Sequence, residues 1–365
     1  MSEDKVGVNG ENRTVRVETE NVKCPGCGAN MAFDADLQVL YCPHCGSKKE
    51  LGESKIAKEK DIMEGLSADS VWNANETSVF RCANCGAKIV LAKSETAKSC
   101  PFCGTAHVQK TEELAGLKPD AVLPFSFGKD KAVEFSKNWA RKRFFAPRKF
   151  KKNINVDNVN GVYIPCFTFD SNTFSSYQGR IGKKYTETVG SGKNQRTVTR
   201  TEWRNISGTH SEFFDDLAIT AGDKCGQKEL DGIAPYDTNS GKEYKEQYLL
   251  GFMAYHYDHE LSECWDKAKG RMDQIIRKHI LSKYDYDVVD YLNVSTTHED
   301  VKYKYVMLPV YVGNFGFKQK LYNFFVNGTT GKTFGKYPKS PLRVGGAILF
   351  GLAIVALLAY LLTKS

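Results

Sequence analysis

Much that would mark an enzyme is missing from these 365 residues. There is no HExxH, no GxSxG and no pair of carboxylates at catalytic spacing, so the zincin, nucleophile-elbow and paired-acid mechanisms have no foothold. Two stretches imitate a phosphate-binding loop, and both fail its pattern. G-x-x-x-x-G-K-[ST] needs a glycine five residues before the glycine of the Gly-Lys pair. Before Gly192-Lys193 that position is Glu187, and Asn194 follows the lysine; before Gly331-Lys332 it is Val326. The second stretch, "NFFVNGTTGKTFG", reads instead as two strands around an Asn-Gly turn. Apolar runs of membrane length are also absent before residue 344. The opening "MSEDKVGVNGENRTVRVETE" lacks the apolar core of a signal peptide and is expected to be a disordered tail over 1–21.

Cysteine, by contrast, is plentiful, and eight of the eleven fall into a repeat. "CPGCGANMAFDADLQVLYCPHCG" and "CANCGAKIVLAKSETAKSCPFCG" share the spacing C-x2-C-x14-C-x2-C, giving Cys24, Cys27, Cys42 and Cys45, then Cys82, Cys85, Cys100 and Cys103. One CxxC turn offers two thiolates to an ion at about 2.3 Å, and two turns complete a tetrahedral site. Gly28, Gly46, Gly86 and Gly104 follow each pair, where such a knuckle needs positive φ. A module of about 25 residues cannot bury enough surface to fold alone, so the metal folds it. Two zinc ribbons, 22–49 and 79–110, with two structural Zn2+ per chain, are the expectation; four protein ligands leave no open position for catalysis. Disulfide or redox use of the pairs fits matched doublets less well. Met31 and Phe33, then Leu37, Val39 and Tyr41, should alternate as strands between the first knuckles. His44 and His107 are surplus to the ligand sets and should be surface residues. Cys166, Cys225 and Cys264 fall outside the repeat and read as packed thiols; free thiols and thiolate zinc both favour a reducing cytosol.

"VGGAILFGLAIVALLAYLL", 344–362, is uncharged and 19 residues long, close to the thickness of a bilayer core at 1.5 Å per residue. It reads as a single transmembrane helix. Lys336, Lys339 and Arg343 precede it, so the positive-inside rule places the N-terminal bulk in the cytoplasm, on a single-pass protein of the cell membrane.

Between ribbons and span the pattern is α+β. A charged linker is expected over 50–78, with a short helix over 56–66, and a mostly antiparallel α+β domain over 119–338. Within it, 121–127 reads as a strand and 130–144 as an amphipathic helix facing inward with Ala132, Phe135 and Trp139. Strands dominate 162–219, a long helix covers 260–284, and strands resume at 301. "VLPFSF", "YIPCFTF" and "MLPVYV" repeat a proline after an apolar residue, which suits an edge or the start of a strand.

Charge separates the two halves. Residues 1–120 hold 15 Lys and Arg against 18 Asp and Glu, net −3, while the remainder holds 36 against 25, net +11. A nucleic-acid-binding head should be basic, and bound thiolate zinc makes this one more acidic still. The basic density lies in "KNWARKRFFAPRKFKK", 137–152: Lys137, Arg141, Lys142, Arg143, Arg148, Lys149, Lys151 and Lys152, without an acid. It is a solvated face, an anionic-lipid contact near a cytosolic leaflet, or a nucleic-acid contact.

The paired ribbons, "KPDAVLPFSF", "RKRFFAPRKFKK", "GVYIPCFTFD", "LPVYV", "FFVNGTTGKTFGKYP" and the C-terminal span together resemble the bacterial membrane-anchored zinc-ribbon proteins. These are often labelled TFIIB-type zinc-ribbon proteins or replication-restart (primosomal) helicases, although this chain lacks the P-loop of a helicase motor. The resemblance implies partners of the phage-shock-protein-A-like and SPFH kinds and a place in envelope protection; only the eight cysteines carry over as site residues. The reading is a non-enzymatic, membrane-anchored adaptor that docks cytosolic proteins. The alternatives are a membrane-tethered nucleic-acid binder and an enzyme with an unrecognised site in the α+β domain.

Overall fold

The computed structural model describes residues 22–67, 77–92, 99–110, 117–152, 154, 159–192, 195–317 and 320–364. The tail expected over 1–21 and part of the linker expected over 50–78 lie outside the described residues.

The first cysteine module holds β1 (Ala32–Asp34), β2 (Val39–Tyr41) and β3 (Lys48–Glu50) in an antiparallel sheet of that order. Asp34 builds the β1–β2 turn, its Oδ1 accepting from the backbone N–H groups of Asp36 and Leu37. Gln38 then takes a φ of 56°. This left-handed residue resets the alternation. Leu40 is therefore the buried residue of β2, while Leu37 is exposed and Val39 and Tyr41 are half-buried, contrary to the simple period-2 reading.

The linker is strapped to the body. Ile56 bridges to Lys242, the Ala57 N–H donates to the Gly241 carbonyl, and β4 (Lys60–Asp61) leads into α1 (Ile62–Ser67), a shorter helix than the 56–66 expected. In the second module, β5 (Thr77–Cys82), β6 (Lys88–Ala92) and β7 (Val108–Lys110) do not form a sheet of their own. They are strands of the main sheet.

That sheet is completed by β8 (Ala121–Val122), β9 (Val159–Val189), β10 (Arg196–Thr220), β11 (Lys242–Glu243), β12 (Met253–Tyr255), β13 (Val288–Phe317), β14 (Lys320–Asn327) and β15 (Thr333–Gly335). Its backbone order is β11-β8-β13-β9-β12-β6-β5-β7; β10 pairs with β9, β14 with β13, and β15 with β14. The helices are α2 (Lys129–Arg141), α3 (Arg148–Lys152), α4 (Gln227–Ile233), α5 (Leu261–Ser282) and α6 (Pro341–Lys364). The chain is thus a mixed α+β protein with two four-cysteine clusters toward its N-terminal end and one long apolar C-terminal helix.

β9 has 31 residues, about 100 Å of strand at roughly 3.3 Å per residue. Beyond Asp170 it pairs, among the described residues, only with β10 and β13, and the three form an arm of the sheet. α5 covers one face of it with Leu261, Cys264, Ala268, Met272, Ile276 and Ile280, all buried and recurring every three or four residues. β13 starts at Val288, well before the 301 expected. The stretch "VVDYLNVSTTHED" is too polar to read as a strand, but in the arm only one of its faces is covered.

The prolines of the repeated stretches sit neither at an edge nor at a strand start. Pro165 and Pro309 are interior to β9 and β13, paired with Met307 and Tyr163. Both mark places where the flanking strand changes. β9 is flanked by β10 as far as Cys166 and by β12 from Tyr163, while β13 is flanked by β8 at Met307 and by β14 from Val310. No ladder N–H is required at the changeover, so the missing donor costs nothing there. Strand structure after Val122 stops early, so the expected 121–127 strand is mostly a connection into α2. α2 itself ends at Arg141 rather than 144; Ala132 and Trp139 are buried as expected, while Phe135 is 37% exposed.

Candidate metal centres and the base of the C-terminal helix

Four knuckles share one backbone design. The Gly28, Gly46, Gly86 and Gly104 N–H groups donate to the carbonyls of Cys24, Cys42, Cys82 and Cys100. Each of these glycines has φ between 71° and 78°, as the turn demands. The side chains converge: Cys24–Cys45 and Cys27–Cys42 sulfurs lie 3.3 and 3.6 Å apart, and Cys82–Cys103 and Cys85–Cys100 lie 3.5 and 3.6 Å apart. A tetrahedron with 2.3 Å metal–sulfur bonds has edges of about 3.8 Å, whereas a disulfide is about 2.05 Å long. All eight thiols are free, and in each set of four the sulfurs lie within 4.8 Å of one another. The geometry fits a four-thiolate ion and not a disulfide.

The electrostatics agree. Although burial raises the Cys24 thiol, hydrogen bonds from Cys45 and from the Gly26 and Cys27 backbone draw it down to about 6. Cys27, despite the lowering contact with the Ala29 backbone, is pushed up to about 12 by Cys45 and by burial. Four thiolates cannot gather here without a cation to hold them.

Neither module is a free knob. In the first, the Phe33 N–H donates to the Leu250 carbonyl, and the Phe33 ring meets Tyr248 edge-on at 5.3 Å. Asp36 reaches α2: its Oδ2 accepts from the Gly128 N–H at 3.0 Å and its Oδ1 from Lys131 at 2.8 Å, which holds the carboxyl below its ordinary range. Gly128 is the N-cap residue and has no side chain of its own to cap with, so Asp36 caps the helix from the neighbouring module. A Cβ at Gly128 would stand 2.8 Å from that carboxylate. In the second module β6 pairs with β12 through Val90–Ala254 and Ile89–Tyr255. Phe80, Ile89, Leu91 and Phe102 share a core with Val162, Ile164, Val310 and Phe325. Lys224 also donates to the Cys85 carbonyl and Asn314 to the Pro101 carbonyl.

The other sequence candidates separate cleanly. His44 and His107 are exposed. Cys166, Cys225 and Cys264 are buried, and burial raises all three thiols, which makes them inert. Two further clusters escaped the sequence because their members are far apart in the chain. Glu59, Asp170 and Asp216 surround the buried Lys304, whose Nζ lies 3.1 Å from Asp216 and 3.3 Å from Glu59. Burial, then the neighbouring Glu59, pushes Asp170 up to about 7. His210, Glu212 and His279 meet at 3.2 and 2.9 Å, and Lys283 donates to His210 Nδ1. In both clusters an ammonium group already sits where a metal ion would need a bare lone pair or an unpaired charge.

The basic stretch 137–152 lands at the base of α6. Ser340 N–H donates to the Phe145 carbonyl, and Arg343 Nη1 bonds the carbonyls of Phe144 and Ala146 at 2.7 and 2.8 Å. Arg141, Lys142, Arg148, Lys149 and Lys152 are exposed; Lys137, Arg143 and Lys151 are half-buried, with Arg143 stacked over Trp139 at 5.1 Å. Of the interleaved aromatics, Trp139 and Phe150 belong to the core, and Phe144 is 68% exposed. α6 itself is apolar over Pro341–Leu362, 22 residues with mean hydropathy 2.4, and none of its apolar window is covered by the body. It is long and apolar enough to cross a membrane.

A cavity of about 570 Å³ lies between Lys60, Glu64, Lys118, Asp120, Tyr244, Tyr303 and Tyr305. Asp120 there is paired with Lys60 and accepts from the Tyr305 N–H.

The chain is 27% identical over 333 residues to an uncharacterized protein, YdjG, of Bacillus subtilis strain 168, the match covering 88% of this chain and 91% of that protein. No protein-family model and no solved structure matches it.

Proposed function

We propose that the chain is a non-enzymatic, single-span membrane adaptor whose two thiolate clusters each hold a structural zinc ion and whose bulk lies against the cytosolic leaflet, docking cytosolic proteins there. The observation that carries this reading is the grip of loop 144–146 on the first turn of α6. It supports the reading because this loop, which carries the exposed Phe144 between the exposed Arg141, Lys142, Arg148, Lys149 and Lys152 in sequence, is held against the base of the apolar helix. Each basic residue close to an anionic leaflet is worth about 1 kcal/mol, and the same charges favour the cytosolic side. The burial of Trp139 and Phe150 leaves Phe144 as the one exposed ring of the stretch, too few for stacking successive bases, which supports lipid over nucleic acid. Partners of the phage-shock and SPFH kinds are what the family resemblance adds.

The test is crosslinked co-purification from native membranes. Zinc-ligand variants of the second module would damage the body, so the comparison uses the exposed strand β3, with Lys48→Glu and Lys49→Glu. Loss of a cytosolic protein with the membrane fraction unchanged is the expected result. Ribbon-dependent recovery of nucleic acid at physiological salt would replace the adaptor with the tethered nucleic-acid binder.

A further inference from the structure

Among the described residues, β10 has a hydrogen-bonded neighbour on one side only. Open edges are ordinarily guarded by lysine, proline or a bulge within the strand. From 196 to 214 this strand contains neither Lys nor Pro, its bulge comes only between Phe214 and Leu217, and its charges, Arg196, Arg200, Glu202, Arg204 and Glu212, are of both signs and so can pair as well as repel. The opposite edge of the arm is different. From 288 to 301, β13 carries Asp290, Glu299 and Asp300 with no Lys or Arg, so two such edges repel. α5 packs on a face of the arm, most closely over β10, and forms no backbone ladder with its edge: Arg277 on the helix donates to the Leu292 carbonyl of β13, and His279 pairs with Glu212 of β10.

We infer that β10 pairs antiparallel with β10 of a second copy, about a two-fold axis at Gly208. In that register Arg204 stands opposite Glu212, Trp203 opposite Phe213 and Ser207 opposite Thr209, and symmetry makes each pair twice. Trp203 and Phe213 are 39% and 58% exposed, an unusual amount for large aromatics on one strand face, and the pairing covers them. Neighbouring registers are disfavoured. Moving the axis one residue toward Ser207 puts Glu202 opposite Glu212, and moving it toward Thr209 puts Arg204 opposite Phe214 and Glu212 opposite Ile206, so neither charge finds its partner. A register of the other parity turns the α5-covered face of one copy to the open face of the other. Arg204 already donates to the Asp285 carbonyl, and Glu212 accepts from His279 at 2.9 Å. Each keeps spare capacity, since a guanidinium has five donors and a carboxylate about four lone-pair sites. The regular stretch 202–214 pairs along its whole length with its mate, and the two arms become one six-stranded sheet.

The test uses the full chain in detergent, its mass followed by sedimentation over a concentration series. The unaltered chain should be a dimer. Arg204→Glu and Glu212→Arg should each raise the dissociation constant on the order of tenfold to a hundredfold, because both equivalent pairs turn from attraction to repulsion. The double variant Arg204→Glu with Glu212→Arg should return toward the unaltered value, which a folding defect cannot do. Ser207→Lys with Thr209→Lys, four ammonium groups around the axis, should give monomer. A monomeric unaltered chain, a dimer indifferent to all of these changes, or a double variant that fails to recover overturns the pairing. Open-ended assembly of the unaltered chain would also overturn it, since that signals β10 meeting β13.

Discussion

Replacing Cys82 with Ser tests how deeply the second cysteine module is built into the body. The change removes one of four cysteines able to hold an ion between β5, β6 and β7, and on the proposed reading the ion goes with it. Phe80, Ile89, Leu91 and Phe102 are each at most 7% exposed and pack on residues of β9, β13 and β14. Full burial of a large apolar side chain is worth about 1.5–3 kcal/mol, so the four contribute about 6–12 kcal/mol as an upper estimate. Taking half of the lower bound leaves about 3 kcal/mol, a drop of about 6–12 °C in the melting temperature of a body this size. Cys24→Ser should act differently. The first module has its own sheet, and it meets the body through Val22, Met31, Phe33 and Leu40 of the main core, the Phe33–Leu250 bond and the Asp36 cap. Its loss should lower the melting temperature without removing a strand of the main sheet, so it should open proteolytic sites within 22–50 while those of the main sheet stay closed. The assay is thermal unfolding of the full chain in detergent, followed by tryptophan fluorescence, with limited proteolysis alongside. If Cys82→Ser melts within about 2 °C of the unaltered chain, the reasoning fails and the second module is an independent unit after all.

Elemental analysis of chain purified without chelator should find two zinc ions, and one in each single-cysteine variant; one or none in the unaltered chain would refute the paired sites. Deleting residues 344–365 should move the protein to the soluble fraction or leave it bound to anionic vesicles in a salt-sensitive way, and Arg148→Gln, Lys149→Gln and Lys152→Gln together should abolish that residual binding. Retention through a high-salt wash would show a second anchor. Asp170 ionises at about 7 in the folded chain against 3.8 for the free group, so the folded state takes up a proton and gains stability as pH falls through that window. Stability should therefore decline from about pH 4 to pH 7, and Asp170→Asn should flatten the slope; equal slopes in the two chains would sink the assignment.

The ligand sets, the knuckle glycines and the apolar helix were legible because each depends on local spacing or on one long run. α5 was legible to within two residues at each end for the same reason: its apolar stripe repeats within one element. What escaped was non-local. Nothing near Val90 says that it will pair with Ala254, so the second module looks self-contained in the sequence. The β13 segment over 288–300 hides as a strand because one of its faces meets water. The ring around Lys304 draws on Glu59, Asp170 and Asp216, residues that no window of sequence brings together. The prolines misled for a related reason. Their tolerance depends on which strand stands alongside, and a single chain segment does not carry that information.

Asp36 has one further consequence. α2 is 13 residues long, about 20 Å, and is held at both ends by parts of the chain that are not its sequence neighbours. At its start sits the carboxylate of the first thiolate module; just past its end, Arg143 lies between Trp139 and Tyr337, and the carbonyls of Phe144, Phe145 and Ala146 hold the first turn of α6. The helix is a strut between the first four-cysteine cluster and the base of the long apolar helix. On the proposed reading, stripping or oxidising that cluster withdraws the strut's cap, and the disturbance reaches the membrane end of the chain through a stiff element and not a flexible tether.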